Sequence, residues 1–235
     1  MEKKMQELIA NLEVMKKTPY IGYGNPDSEI LIIGKECAID VNSDDWKKFY
    51  NLNYSQWDSI CHGGDFDPSY GEPYDFEHKH FNPKNPFYPL KNRTRKKKEN
   101  GYASKTYFYY QRLIDLIYGR PSPDIINFFS SCFITELNDL CRRNNKDNKP
   151  EDAKKIKQSI QNRFSWMREV TFFRGFKVVI LACGPYANAI KKDELLRNEL
   201  FGTAHIEYCH QLSQWDKSLI DDMKIDRIQR VLGLK

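Results

Sequence analysis

The run Ile30-Leu31-Ile32-Ile33, closed by Gly34, places no polar residue on either of its faces. A strand exposed on one side alternates with a period of two. This run does not, so both of its faces must be covered. Similar runs recur at Cys132–Leu137 and Lys177–Gly184, and more weakly at Ala204–Cys209. Helical patterns separate them. Met5, Leu8, Ile9, Leu12 and Met15 share one helical face, and similar periodicity spans Ser104–Tyr118, Pro150–Phe173 and Trp215–Leu232. Buried strands alternating with helices predict an α/β fold, a three-layer α/β/α sandwich around a central parallel sheet of about four strands. Such sheets bind ligands beyond the carboxyl ends of their strands, where the strand order reverses. The turns after Gly34, Leu137, Gly184 and Cys209 are therefore the candidate site.

A chain of 235 residues, 40% hydrophobic and 29% charged, fits one globular domain over residues 1–235. Its longest connection, at about 54–101, is rich in Pro and Gly and reads as a loop insertion. It is aromatic and acidic at first (Trp57, Phe66, Tyr70, Tyr74, Phe76) and then basic, through Lys91, Arg93, Arg95, Lys96 and Lys97. None of the six cysteines forms a Cys-x-x-Cys pair, and several lie in or beside apolar runs, which predicts reduced thiols and a cytoplasmic protein. The amino-terminal amphipathic segment lacks the apolar core of a signal peptide, and no apolar stretch is long enough to cross a membrane. The formal charge of +5 suits a nucleic-acid partner only if it is concentrated on one face; spread evenly, it is a solvated surface. Cys61-His62 with His78 and His80 offers metal-binding residue types, but the spacing matches no standard zinc pattern, so no metal is expected.

Four segments then stand in a particular order. Gly22-Tyr-Gly-Asn-Pro26 leads into the first strand and the turn Gly34-Lys35-Glu36-Cys37-Ala38. Phe133-Ile-Thr-Glu-Leu-Asn138 is followed by Cys141-Arg142-Arg143. Val178-Val-Ile-Leu-Ala-Cys-Gly184 precedes Ala187, and His210-Gln-Leu-Ser213 ends the series. This order resembles the uracil-DNA glycosylase superfamily, in which a Gly-x-Gly-Asn-Pro lead-in, a Gly-initiated catalytic loop, a strand ending in Asn and a His-Pro-Ser motif follow one another. The resemblance covers most of the chain outside the insertion. It implies a hydrolase that removes a base from DNA, single- or double-stranded, without a cofactor. Cysteine spacing does not reproduce the iron–sulfur framework of the superfamily's thermostable branch, so no metal cluster is expected.

The chemistry assigns roles to these positions. Cleaving an N-glycosidic bond requires a nucleotide flipped into a pocket, a group that positions water, a donor for the charge developing on the departing base, and polar groups that read the base edge. By motif position, Glu36 would position water and His210 would donate to the leaving base. Asn138, or Glu136 if the register slips, would read it, with Gly34 and Cys37 lining the pocket. Arg142, Arg143 and Ser213, with the basic run Lys91–Lys97, would hold phosphates. In the uracil enzyme proper the first loop reads Gly-Gln-Asp-Pro-Tyr. Here Cys37 and Ala38 stand at its last two positions, so an uncommon or modified base is expected, uracil remaining one candidate.

Each residue also has a plainer reading. Glu36 would cap a helix or pair with Lys35, His210 would shape a turn, and Asn138 would satisfy loop backbone. The basic run would be a solvated loop, and the insertion's aromatics a small satellite core. On those readings the chain is a catalytically inactive nucleic-acid or nucleotide-binding module with the same fold.

Overall fold

A computed structural model describes residues 3–35, 45–64, 85–89, 105–121, 126–140, 150–210, 212 and 222–235. Among them the chain forms seven α-helices and five strands: α1 (Lys3–Val14), β1 (Tyr23–Gly24), β2 (Ile30–Gly34), α2 (Asp45–Cys61), α3 (Lys105–Ile117), β3 (Phe133–Glu136), α4 (Pro150–Glu169), β4 (Val178–Leu181), α5 (Asn188–Lys192), α6 (Glu194–Phe201), β5 (His205–Tyr208) and α7 (Asp222–Val231). The strands make one sheet in the order β1-β3-β2-β4-β5. The four expected strands are all present and mutually parallel, with Ile32 beside both Ile134 and Ile180. The fifth, β1, pairs antiparallel with β3 at Tyr23↔Ile134. The sheet is therefore mostly rather than wholly parallel.

Two apolar layers explain why β2 shows no alternation. On one face Ile30, Ile32, Val178 and Ile180 pack under α3 and α7 (Leu113, Ile114, Ile225, Ile228). On the other, Leu31, Ile33, Val179 and Leu181 pack under α1, α2, α4, α5 and α6 (Leu8, Leu12, Trp57, Met167, Ile190, Leu200). Burying each of these side chains stabilises the fold by about 1.5–3 kcal/mol, so both faces of a central strand demand apolar residues.

Several boundaries differ from the sequence reading. Helix α4 ends at Glu169 rather than near Phe173, because Phe172–Gly175 forms a 3-10 turn that turns Phe172 and Phe173 into the core. Helix α2 runs through Cys61, into the span read as a loop insertion from about residue 54, and its Trp57 is 0% exposed. Trp57 donates through Nε1 to the Gly22 carbonyl at 2.9 Å and packs edge-on against Phe87 at 4.8 Å. It is a core residue.

The lead-in to β2 is held from four sides. Asn53, fully buried on α2, accepts from the backbone N–H groups of Ile21 (2.8 Å) and Gly22 (3.0 Å) and donates to the Gly22 carbonyl (2.8 Å). Buried Arg163 donates to the Tyr20 carbonyl and to Thr135 Oγ1, its guanidinium lying 4.7 Å from the centre of the Trp166 ring. Thr135 passes the contact on to the Ile21 carbonyl at 2.6 Å. Gly22 sits at φ 136°, and a Cβ there would run into the Ile134 carbonyl oxygen. Asn25 makes an Asx-turn to the Asp27 N–H (2.9 Å) and donates to the Ser130 carbonyl (3.2 Å). The Gly-x-Gly-Asn-Pro sequence is thus needed for close backbone packing at the edge of the sheet.

Candidate functional site

The connection after β2 leads to β3 on one side, and the connection after β4 leads to β5 on the other. Their carboxyl ends therefore flank the point where strand order reverses, and a crevice opens there in sheets of this kind. Four connections leave the sheet at this end. The Leu137 and Asn138 N–H groups donate to the Gly34 and Lys35 carbonyls, both at 3.0 Å, which extends the β2–β3 ladder past the strands. The Ala182 N–H donates to the Ile33 carbonyl at 2.8 Å, and the Gly184 N–H to the Cys209 carbonyl at 3.3 Å. This last bond carries His210 to the Gly184 turn. His210 is exposed, and its Nδ1 lies 3.9 Å from where a Cβ on Gly184 would stand.

Glu136 is in register with Gly34, and its carboxylate fills the space that a side chain on residue 34 would occupy. Its charge is felt by two neighbours. Burial first, and then the nearby Glu136 carboxylate, push the Tyr110 hydroxyl well above its ordinary value. Burial likewise pushes the Cys183 thiol far up, with Cys209 and Glu136 adding to the effect. Glu136, Tyr110, Cys183 and Cys209 therefore cluster beneath the Gly34 and Gly184 turns. On the opposite side of the reversal, Lys35 extends over the Tyr186 ring, with Nζ 4.8 Å from its centre, and so spans from the end of β2 to the turn after β4.

Asn138 occupies the expected strand end but is 0% exposed. Its Oδ1 accepts from Ser159 Oγ (2.7 Å) and from the Leu140 N–H (3.1 Å), and its Nδ2 donates to the Leu140 carbonyl (3.3 Å). This is the loop-satisfying arrangement, and it leaves Glu136 as the half-buried polar side chain at the end of β3. Glu36, Cys37, Arg142, Arg143, Ser213 and the basic residues Lys91, Arg93, Arg95, Lys96 and Lys97 lie outside the described residues. Tyr110, Lys35 and Tyr186 were not singled out in the sequence. Tyr110 sits within an ordinary helical periodicity, and the Lys35–Tyr186 contact joins segments far apart in the chain.

Two other polar assemblies lie away from this end. Glu13 on α1 and Asp58 and His62 on α2 bring their ligand-type atoms within 4.8 Å of one another. His62 Nδ1 lies 2.9 Å from the Asp58 carbonyl oxygen and 3.2 Å from its carboxylate, and Nε2 lies 3.5 Å from Glu13 Oε1. These groups are exposed or half-buried and pair with each other as a clasp between the two helices. His78 and His80 lie outside the described residues. The second assembly is a groove of about 740 Å³ along β5, lined by Arg174, Lys177, Arg197 and His205. It begins at the amino-terminal ends of β4 and β5, opposite the end of the sheet that carries Glu136 and His210.

No helix among the described residues is long and apolar enough to cross a membrane. No protein-family model, curated protein or solved structure matches the chain.

Proposed function

We propose that this chain is a DNA nucleobase glycosylase of the uracil-DNA glycosylase type, hydrolysing the N-glycosidic bond of an uncommon or modified base. The observation that carries the reading is that the four motif-bearing connections all leave one end of a mostly parallel sheet, with the Glu136 carboxylate against Gly34 and His210 beside Gly184. Water adds at the sugar's anomeric carbon, the bond to the base breaks, and the products are free base and an abasic site. In this scheme Glu36 positions the water and His210 donates to the departing base, which gathers negative charge as the bond breaks.

Glu136 bears on which base is taken. An ionised carboxylate only accepts hydrogen bonds, whereas an amide both donates and accepts. A carboxylate at the reading position suits a base edge that leads with N–H donors, as a guanine-type edge does. It is a poor match for uracil, whose edge alternates donor and acceptor. Leaving a base acceptor facing a carboxylate costs about 1–3 kcal/mol, a discrimination of about tenfold to a hundredfold.

The test is base release from duplex and single-stranded oligonucleotides carrying uracil, hypoxanthine, xanthine, modified pyrimidines or modified guanines. Release that Glu36→Gln and His210→Ala both abolish supports the reading, and Glu136→Gln is expected to shift preference toward uracil. The Lys35 ammonium, held over the Tyr186 ring between the end of β2 and the turn after β4, favours a second reading, a module that binds an anionic nucleotide without cutting it. Tight, salt-sensitive binding with no release from any substrate would select that reading over the first.

A further inference from the structure

We infer that the outer edge of β5 is a docking site for an extended, acidic peptide segment of a partner protein, bound as an added strand. This inference is independent of the chemistry proposed at the opposite end of the sheet. Among the described residues β5 pairs only with β4, so one side of it ends the sheet. In the parallel ladder the His205 and Cys209 N–H groups face inward, donating to the Lys177 (2.9 Å) and Leu181 (3.1 Å) carbonyls. Alternation then turns the N–H and C=O groups of Ile206 and Tyr208 outward, about 7 Å apart along the strand. An open strand edge is a template for another strand, and main-chain pairing there is sequence-tolerant, so the side chains beside the edge decide which segment is accepted.

The groove along this edge decides the kind of strand. Its lining includes Arg174, Lys177 and Arg197 and no carboxylate. Arg174 is held in place by donating to the Arg168 and Glu199 carbonyls, both at 2.9 Å, and Lys177 is paired with Glu29. Among the described residues the half-buried Arg197 side chain pairs only loosely, with the exposed Glu194 at 3.8 Å, which leaves its charge available to an incoming acid. A second copy of the chain pairing through its own β5 would bring two sets of these cations together, which disfavours self-association at this edge. Single-stranded nucleic acid is disfavoured for a different reason. Base stacking needs an open ring face. Phe176 is 3% exposed among Phe133 and Phe172, and the Tyr208 ring carries Lys191 Nζ at 5.7 Å with its hydroxyl buried.

The probe is a fluorescent alternating Glu-Val peptide of about eight residues, the usual length of a strand. It is compared with its Lys-Val counterpart, with a Glu-Val peptide N-methylated at alternate residues, and with an oligothymidylate. Binding of the acidic peptide is expected to weaken about tenfold on N-methylation and about tenfold in Arg197→Glu. In amide-exchange NMR the Ile206 and Tyr208 N–H groups are expected to become protected when the peptide binds, a change that a nonspecific charge contact does not produce. Equal binding of the methylated peptide would overturn the inference, as would preference for the oligonucleotide. A peptide-free dimer broken by Arg197→Glu, or no binding of the acidic peptide at low salt, would overturn it as well.

Discussion

Asn53 satisfies three backbone atoms of the lead-in at once, and among the described residues no other side chain accepts from both the Ile21 and Gly22 N–H groups. Asn53→Ala would leave two buried donors unpaired at about 1–3 kcal/mol each, so a loss of about 3 kcal/mol in urea denaturation is expected. Asn53→Asp keeps the acceptor and is expected to recover part of that loss. At the surface His62 is a different case. The Asp58 carbonyl, and after it the Glu13 and Asp58 carboxylates, raise its basicity above the ordinary value of 6.5 despite some loss of hydration. A histidine whose pKa is raised on folding contributes stability that is fully present below the unfolded value. That contribution is lost as pH rises through the folded value. The clasp between α1 and α2 should therefore weaken on going from pH 6 toward neutrality and above. An NMR titration should place the His62 midpoint above 6.5, and Glu13→Gln should lower it. A midpoint unmoved by that change would mean that Glu13 takes no part. The effect on global stability should be small, because the pair is exposed and screened.

The strands were legible because burial on both faces leaves no alternative composition for them. Ile30–Ile33 and Val178–Leu181 can be read as central strands without any partner in view. Helix α2 was not legible, because its buried stripe includes Asn53, a polar residue that becomes a core residue only once the lead-in is folded beside it. The two-residue strand β1 has no pattern to read and is defined by β3. Helix α6 was not among the expected helices; in the structure Asp193 caps it by accepting from the Leu196 N–H at 3.0 Å. At the candidate site the strand ends were legible, but which of Asn138 and Glu136 stays accessible there was not, because that depends on what packs on each of them. Gly34 tests this junction. In Gly34→Ala the new methyl group collides with the end of the Glu136 side chain, which is flexible, so the fold should persist while the carboxylate moves. A drop of no more than about 1–2 kcal/mol in stability is expected, within the usual range for a single substitution. Ligand binding or base release should fall at least about tenfold if Glu136 reads the ligand. Unchanged activity would remove Glu136 from the site. Gly22→Ala is the contrasting control, because there the collision is with a backbone carbonyl and the whole lead-in should be lost.

At the scale of the molecule, the two apolar layers have the sheet in common, and this bears on whether the chain unfolds as one unit. Cys132 belongs to the layer under α3 and α7, and Cys183 to the layer under α1, α2 and α4–α6. Both are 0% exposed, and burial pushes both thiols far above their ordinary range, so neither reacts in the folded chain. Cys61 is half-buried at the end of α2, its thiol raised to about 11 by burial and by Asp58 and Glu13. It should be alkylated slowly at neutral pH but without unfolding. The buried pair report on opening alone. Because β2 and β4 contribute side chains to both layers, peeling either set of helices away would strip one apolar face from the central strands themselves, which disfavours opening one layer alone. Cys132 and Cys183 should therefore be labelled by iodoacetamide with the same apparent opening free energy, equal to that of global unfolding. Their peptides, followed by mass spectrometry across a urea series, should fall on one curve, with the Cys61 peptide ahead of both. Earlier labelling of Cys132 would mean that α3 and α7 peel away from a sheet still covered on its other side. In that case the face bearing Tyr110, Glu136 and Cys209 would be the mobile one.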